Sequence, residues 1–282
     1  MKVSRRSMLG GALALSVSKL SHAQASPAPV LYVSHGAPLM VPGNEARVAA
    51  LREWGARMAK PQAIVVMTPH FAARDVQLGP THAGFGMFNL PLHFKRLIPQ
   101  NLDYPTPPSD ALATRLEALL GGPVRRNPER RGFDHTTWMP LLALFPAADV
   151  PVLELGYPYL PEAQAFALGE RLAPLRDEGV LFLASGGMTH NLGMMTGATP
   201  SAITEFDAWA SECIQKKDAD ALIDWRSKAP ASDLAHPDDG AHFRVLHVAM
   251  GVALHARSAI TNISFPIAGF EGALSKRCVQ LS

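Results

Sequence analysis

Cysteine is nearly absent from this 282-residue sequence, which contains only Cys213 and Cys278. Two thiols are too few for a disulfide-stapled scaffold or for a metal site built from four cysteines. Charged residues are also scarce at 18%, too few for a disordered, solvated chain, whereas 48% of the residues are hydrophobic. The sequence therefore predicts a globular protein with a sizeable core, in which eleven histidines are the more informative residues.

Several common functional signatures are missing. The sequence has no Gly-x-Gly-x-x-Gly, no P-loop and no Gly-x-Ser-x-Gly, which removes the most frequent nucleotide-binding and α/β-hydrolase interpretations. The net charge is only +2, so we expect no nucleic-acid partner. The longest uncharged stretch beyond the N-terminus, Val180 to Thr204, is rich in Gly, Ser and Thr, so we expect no membrane-spanning segment.

The N-terminus has the layout of an export signal. Residues 1–25 carry four basic side chains and no acidic one, with the pair Arg5-Arg6, a short apolar run and a final Ala23-Gln24-Ala25. This order predicts a twin-arginine signal that is cleaved before Ser26, and hence a periplasmic protein. A fortuitous basic amphipathic helix is the alternative interpretation.

Short apolar runs alternate with helical patterns along residues 26–282, with no repeat and no long linker. Strands are predicted at Pro29–Ser34, Ala63–Met67, Val150–Leu155 and Gly179–Ala184. Helices are predicted at Asn44–Met58, Asp110–Leu120, Glu162–Leu175, Thr204–Lys216 and Ala241–His255. This alternation predicts one α/β domain with helices on both faces of the sheet, and the Gly- and Pro-rich segment from Val76 to Pro108 is predicted to be a long loop or lid.

Three histidines follow three of the predicted strands. His35 comes directly after the first strand, His70 follows the second, and His190 follows the strand that begins at Gly179. A single histidine in such a position is more often a hydrogen-bonding loop residue. Ligands collect outside the carboxyl ends of strands in α/β sheets, so three histidines at these ends predict one shared site.

Two further segments contain candidate ligands. His236 and His242 are separated by about 120° around a helix, so only one of them is expected to point into the site, and His242 is in register with the apolar stripe of the last predicted helix. The segment Arg131–Trp138 places His135 near a tryptophan, as a loop that holds a polar group against a substrate ring would. We expect His82 and His93 to be solvated or structural, and His247 and His255 to be partly exposed.

Histidine is a ligand suited to borderline metals. Neutral imidazoles bind Fe(II) and Zn(II), and three protein ligands leave positions open for substrate. The pattern fits a metal centre with His35, His70 and His242 as ligands. His190 and His135 then remain beside the open positions, where a histidine can move protons.

Five motifs occur in one order between about Val30 and Leu254, nearly the whole predicted mature chain, and together they resemble a known family. They are Ser34-His35-Gly36-Ala37-Pro38, Pro69-His70-Phe71, Arg131 to Trp138, Thr189-His190-Asn191-Leu192, and His236-Pro237 with His242-Phe243. This set is similar to the class III extradiol ring-cleaving dioxygenases, in the branch of the 4,5-DOPA extradiol dioxygenases.

The resemblance implies an α/β fold around a mixed sheet and a non-haem Fe(II) site, which zinc can also occupy. It implies that His35, His70 and His242 are the metal ligands, that His190 is the acid/base residue, and that His135 faces substrate or O2. The branch usually has an acidic residue just before the third ligand, where this sequence has Ala241. His236 and Asp239 therefore remain alternatives to His242 as ligands.

The function expected from these observations is extradiol cleavage of a small catechol by O2. A zinc hydrolase using the same histidines is one alternative, although the sequence has no His-Glu-x-x-His pair. A non-catalytic protein that holds a ligand in the same cleft is the other.

Overall fold

The computed structural model describes residues 27–36, 38–39, 42–82, 90, 92–98, 104–127, 132–255 and 260–282. The predicted export signal lies outside these ranges, as do Arg131 and part of the loop predicted over 76–108. Within the described ranges, no helix has both the length and the apolar character needed to cross a bilayer.

The described strands build a central sheet and three small two-stranded pairs. In chain order they are β1 (Val30–Ser34), β2 (Ala63–Met67), β3 (Ala72–Ala73), β4 (Gln77–Leu78), β5 (Arg125–Arg126), β6 (Val152–Glu154), β7 (Tyr157–Pro158), β8 (Val180–Gly186), β9 (Ile263–Ile267), β10 (Phe270–Glu271), β11 (Leu274–Ser275) and β12 (Cys278–Leu281). The central sheet has the order β6-β2-β8-β1-β12-β9. Its first four strands are parallel, and β12 runs antiparallel to both β1 and β9. The expected mixed, largely parallel sheet is confirmed.

Helices connect and cover these strands. In chain order they are α1 (Glu45–Ala56), α2 (Leu92–Lys95), α3 (Asp110–Leu120), α4 (His135–Leu144), α5 (Glu162–Leu172), α6 (Pro174–Asp177), α7 (Ser201–Lys216), α8 (Ala219–Ile223), α9 (Trp225–Lys228), α10 (Ser232–Ala235) and α11 (Ala241–Leu254). A short 3₁₀ turn spans Leu192–Met194.

The central sheet separates two hydrophobic cores because successive side chains of a strand point to opposite faces. Val30 and Tyr32 of β1 belong to the core that includes side chains of α5, α7 and α11. Leu31 and Val33 belong to the other core, with side chains of α1 and α4. Every residue of β1, β2 and β8 is buried, as expected for strands covered on both faces. The prediction of helices on both faces is confirmed.

Some predicted boundaries are wrong where proline interrupts the pattern. The helix predicted over Glu162–Leu175 ends at Leu172, and a separate short helix begins at Pro174. Proline lacks the backbone N–H that a continuing helix needs, and it is best tolerated in the first turn. Pro151 has the same effect on the strand predicted over Val150–Leu155, which is observed only at Val152–Glu154.

Several elements are absent from the prediction, including α8, α9 and α10 and two parts of the fold that matter for the site and the sheet. The segment that was expected to form a loop around His135 is helix α4, in which nine of ten residues are buried. A helix buried on all sides has no polar face, so its sequence lacks the amphipathic period that identifies helices. The C-terminal strands β9 and β12 were not predicted either, and β12 completes the sheet beside β1.

Candidate metal centre

Three imidazoles converge at the carboxyl end of the parallel strands. His35 follows β1, His70 follows β2, and His242 lies in the first turn of α11. Each offers one ring nitrogen, and these three nitrogens lie within 4.8 Å of one another. The ring centroids are 5.3 Å apart for His35 and His70, 5.2 Å for His35 and His242, and 5.5 Å for His70 and His242. The three residues predicted to share a cation are therefore close enough to do so.

The hydrogen bonds around His35 fix which of its nitrogens faces the cluster. The Ser185 hydroxyl donates to the Thr136 carbonyl over 2.6 Å, so its oxygen accepts from His35 Nδ1 at 3.0 Å. Nδ1 thus carries the proton, which leaves the lone pair on Nε2. A serine that fixes the tautomer in this way is a typical outer-shell partner of a metal-binding histidine.

A buried carboxylate has the same role for His70. Asp134 Oδ1 lies 3.3 Å from His70 Nδ1 and also accepts from the Thr136 amide at 2.9 Å, as the N-cap of α4. Burial raises the pKa of Asp134, but the nearby His70 and His135 outweigh it and lower the pKa well below its usual range. The ionised carboxylate favours the tautomer of His70 that has its proton on Nδ1, which leaves Nε2 for a ligand bond.

His242 is the candidate ligand whose surroundings indicate a bound metal most clearly. The residue as a whole is half-buried, but both of its ring nitrogens are buried, and among the described residues neither nitrogen has a hydrogen-bond partner. Burial, followed by the neighbouring His190 and His70, lowers its pKa well below the ordinary value, and burial does the same for His35. A buried imidazole nitrogen without a partner is costly for the fold, and a metal ion would supply a partner for one of the two.

The donor set therefore fits a divalent metal. Three neutral imidazoles suit Fe(II) or Zn(II), and Ser185 and Asp134 supply the outer contacts that orient two of them. The two other groups of possible ligand atoms in the described ranges share residues with this one. They are His70, Asp134 and His135, and His190, Asp238 and His242.

His190 lies directly against the cluster. Its ring stacks on that of His242, with centroids 3.5 Å apart and planes 9° from parallel. Its Nδ1 lies 3.1 Å from Asp238 Oδ2, and its backbone N–H donates to the Ala235 carbonyl at 2.8 Å. His190 is thus held beside the candidate ligands by contacts on its backbone and its side chain.

His135 occupies the first position of α4, and its ring centroid is 5.0 Å from that of His70. It lines a cleft together with His35, Pro38, Leu39 and Met139. The structure thus brings His135 to the edge of the cluster, in a mostly apolar recess.

The alternative ligands His236 and Asp239 are not part of any of these groups. His236 is fully buried among aromatic rings, and its Nε2 donates to the Met188 carbonyl at 3.1 Å. Burial lowers its pKa to about 3. Asp239 accepts from the Ala241 amide at 3.0 Å. Of the three alternatives, the structure brings only His242 to His35 and His70.

The remaining histidines fall mostly outside the site. His82 is exposed beside Thr81 and Asp110, and His93 is also exposed. The expectation that His247 is partly exposed is wrong, because it is buried with its ring nitrogens 2.7 Å from the Leu222 carbonyl and 3.2 Å from the Arg244 carbonyl. A neutral imidazole carries one N–H, so one of these two contacts is a hydrogen bond, and it lowers the cost of burying the ring.

Gly186, the last residue of β8, packs closely against the first turn of α11. A Cβ atom at this position would lie 2.2 Å from the His242 carbonyl oxygen, which also accepts from the Tyr32 hydroxyl and the Gly187 amide. We expect Gly186→Ala to lower the free energy of unfolding by about 2–3 kcal/mol and to weaken metal binding, because His242 must move. Chemical denaturation measures the free energy of unfolding, and metal titration measures the affinity for the metal. The comparison variant is Gly197→Ala, where a Cβ meets no atom within 4 Å and only the positive φ adds strain. Unchanged metal affinity in Gly186→Ala would contradict this coupling.

Three supporting residues were not assigned a role from the sequence. Ser185, Asp134 and Asp238 each contact a histidine, at 3.0, 3.3 and 3.1 Å. Asp134 had a usable signal, because an aspartate directly before a helix is a good N-cap, but the helix itself was not recognised. Ser185 and Asp238 are 150 and 48 residues from their partners, so no local pattern connects them.

Comparisons with known proteins agree with this geometry. Residues 28–271 match the family model for the catalytic LigB subunit of aromatic ring-opening dioxygenase. A 4,5-DOPA dioxygenase extradiol of Beta vulgaris is 33% identical over 238 residues, which cover 79% of this chain and 85% of the relative. One of Portulaca grandiflora is 34% identical over 236 residues, covering 78% and 84%.

A solved structure extends the likeness to the fold. The crystal structure of an uncharacterised protein of Escherichia coli K12 has a TM-score of 0.72 and 28% sequence identity, and the match covers 90% of this chain and 100% of that one. With a family model that spans most of the chain and relatives above 30% identity, the chain belongs to the class III extradiol dioxygenases, in the LigB family of aromatic ring-opening enzymes.

Proposed function

We propose that this dioxygenase uses Fe(II), held by His35, His70 and His242, to cleave the ring of a small catechol next to its diol. The observation that carries the proposal is His242, whose two buried ring nitrogens lack partners among the described residues while it faces two other imidazoles. When bound, Fe(II) would supply Lewis acidity for the diol and electrons for O2.

His190 is the proton acceptor in this proposal. A catechol that binds through both oxygens must lose protons, and a neutral imidazole accepts one efficiently near neutral pH. Because Nδ1 of His190 is engaged by Asp238, the proton is accepted at Nε2. The stacking of His190 on His242 keeps this nitrogen close to the candidate ligands.

The surroundings of His35 and His135 suit an aromatic substrate. The buried side chains of Leu39 and Met139 lie beside these histidines and make this side of the cluster apolar. His135 contributes a polar group on this side, where it orients the substrate or O2. This mixture suits a flat ring with polar substituents on one side.

Anaerobic reconstitution with Fe(II), followed by O2 uptake with a panel of catechols, tests the reaction class. DOPA heads the panel because two of the relatives are named 4,5-DOPA dioxygenases. We expect O2 consumption coupled to a coloured product that absorbs in the visible region. Protein loaded with Zn(II) is the matched control, since zinc suits the same ligands but has no redox chemistry.

Two results would replace this proposal with another. Anaerobic turnover of esters or amides by the zinc-loaded protein, with no O2 uptake by the iron-loaded protein, would indicate a hydrolase. Binding of a catechol without turnover in the iron-loaded, reduced protein would indicate a binding protein on the same scaffold.

Export is a separate proposal that depends on residues 1–25 alone. The paired arginines, the short apolar run and the Ala23-Gln24-Ala25 sequence support a twin-arginine route to the periplasm. Fractionation of cells that express the full chain should find a shortened protein in the periplasm. Full-length protein confined to the cytosolic fraction would contradict it.

A further inference from the structure

We propose that the turn formed by residues 234–238, from the end of α10 into the bend that follows it, positions His190 for proton transfer, with Asp238 orienting its ring and His236 anchoring the turn. The inference rests on the proposed function, in which His190 moves the proton, and it adds two residues that act through His190. Neither is proposed to touch substrate.

The first contact is between the Asp238 carboxylate and the His190 ring. Oδ2 lies 3.1 Å from His190 Nδ1, while Oδ1 accepts from the Gly240 amide at 2.9 Å. An ionised carboxylate only accepts hydrogen bonds, so Nδ1 must donate. This places the proton of neutral His190 on Nδ1 and leaves the lone pair of Nε2 available, in the orientation that a proton acceptor needs.

The second set of contacts joins the two backbones. His190 N–H donates to the Ala235 carbonyl at 2.8 Å. The side-chain amide of the next residue, Asn191, donates to the Leu234 carbonyl, also at 2.8 Å. The His190 segment is therefore bonded to the turn through its main chain and a neighbouring side chain as well as through the imidazole itself.

His236 holds the turn in place from inside the protein. Its Nε2 donates to the Met188 carbonyl, two residues before His190. Its ring centroid lies 5.3 Å from those of Phe206 and Trp225 and 5.5 Å from that of Phe243. A fully buried ring in an aromatic enclosure has little freedom to move, so the one hydrogen bond that it donates fixes the distance between the turn and the His190 segment.

Arg226 closes the outer side of the turn. Its guanidinium donates to the His236 carbonyl at 3.0 Å and to the Asp238 carbonyl at 2.7 Å, and it lies 4.0 Å from the centre of the Trp225 ring. The backbone on both sides of Pro237 is thus held by one planar group. The carboxylate of Asp238 is presented to His190 from a fixed support rather than from a free loop.

Asp238→Ala tests the orienting contact. We expect kcat to fall by about 10–100-fold, the usual range for an outer partner of a working histidine, with KM and bound iron unchanged. Asp239→Ala is the matched control, because Asp239 is the next residue and its carboxylate also accepts from a backbone amide at the start of α11, that of Ala241. Its kcat should stay within about twofold of wild type. Equal kcat values for the two variants would overturn the role of Asp238.

A spectroscopic measurement separates this role from general damage and from the proposed function. In the Zn(II)-loaded protein, nitrogen NMR of labelled histidine should show His190 protonated on Nδ1, assigned by the signal lost in His190→Gln. Asp238→Ala should move the proton toward Nε2. This readout needs no turnover, so it still tests the contact if no catechol is cleaved; a wild-type His190 protonated on Nε2 would overturn the inference.

His236 is tested by a pair of substitutions. His236→Gln keeps an N–H near the position of Nε2 and can still donate to Met188, whereas His236→Leu fills the enclosure without a donor. We expect the glutamine variant to keep more of kcat than the leucine variant at equal iron content. Equal kcat in both, with similar melting temperatures, would show that the hydrogen bond does not position His190.

Discussion

His242→Leu is expected to lose bound iron and to reduce turnover by about 10³-fold or more, since a metal centre supplies several kcal/mol of transition-state stabilisation. Only two of the three clustered imidazoles, those of His35 and His70, would remain. Metal analysis after Fe(II) reconstitution and O2 uptake with the best catechol measure the two effects. Full iron content and activity in this variant would refute the assignment of the site.

The same substitution should have the opposite effect on the metal-free fold. His242 buries two ring nitrogens without a partner in the described structure, and an unsatisfied buried polar group costs about 1–3 kcal/mol. Metal-free His242→Leu should therefore melt at or above the temperature of metal-free wild type. Adding Fe(II) or Zn(II) should raise the melting temperature of wild type, because the ion binds the folded state and not the unfolded chain. The melting temperature of the variant should not rise, because its folded state has lost a ligand.

The control for these measurements is an exposed histidine that belongs to none of the candidate ligand groups. His82 is exposed and contacts Thr81, so His82→Ala should keep its metal, its turnover and its thermal shift. A loss of metal in His82→Ala would mean that binding is nonspecific.

His190→Gln is expected to lower kcat by about 10²–10⁴-fold, the typical contribution of a general acid or base. Glutamine has nearly the same length but cannot accept a proton. His35, His70 and His242 remain in place. If His190 is not itself a ligand, the bound iron should therefore differ from the wild-type content by no more than about 20%. Single-turnover kinetics with the iron-loaded protein measure the step directly.

The metal content of His190→Gln discriminates between two arrangements. His190, Asp238 and His242 also bring possible ligand atoms within 4.8 Å of one another. If the variant loses iron as His242→Leu does, His190 binds the metal and its role as proton acceptor is wrong. If iron stays and kcat falls, the acid/base role stands.

The fold was predictable where local pattern and tertiary environment agree. The buried strands β1, β2 and β8 are continuous apolar runs, and α11 is a long apolar segment of 14 residues, so each was expected close to its observed bounds. Helix α4 was not expected, because its 10 residues include Pro140 and the β-branched pair Thr136-Thr137, which are weak helix formers. The single helix expected over Glu162–Leu175 was broken by Pro174.

The histidines at the strand ends could be predicted to converge, because parallel strands end at one edge of a sheet whatever their separation in sequence. That argument applies to His35, His70 and His190. It does not apply to His242, which lies at the start of a helix, and the sequence left His236 and Asp239 as alternatives. The structure separates them, since His236 points into an aromatic enclosure and its Nε2 bonds Met188.

By itself, then, the sequence determined the parallel strands of the sheet, most of its long covering helices and the polar residues at the strand ends, because these depend on the local hydrophobic pattern. Only the tertiary structure decided how those histidines are protonated. Ser185 sets the free nitrogen of His35, Asp238 sets that of His190, and the Asp134 carboxylate favours the same tautomer in His70. A tautomer is fixed by whichever donor or acceptor lies within about 3 Å, and folding brings such neighbours from 48 to 150 residues away for His190 and His35.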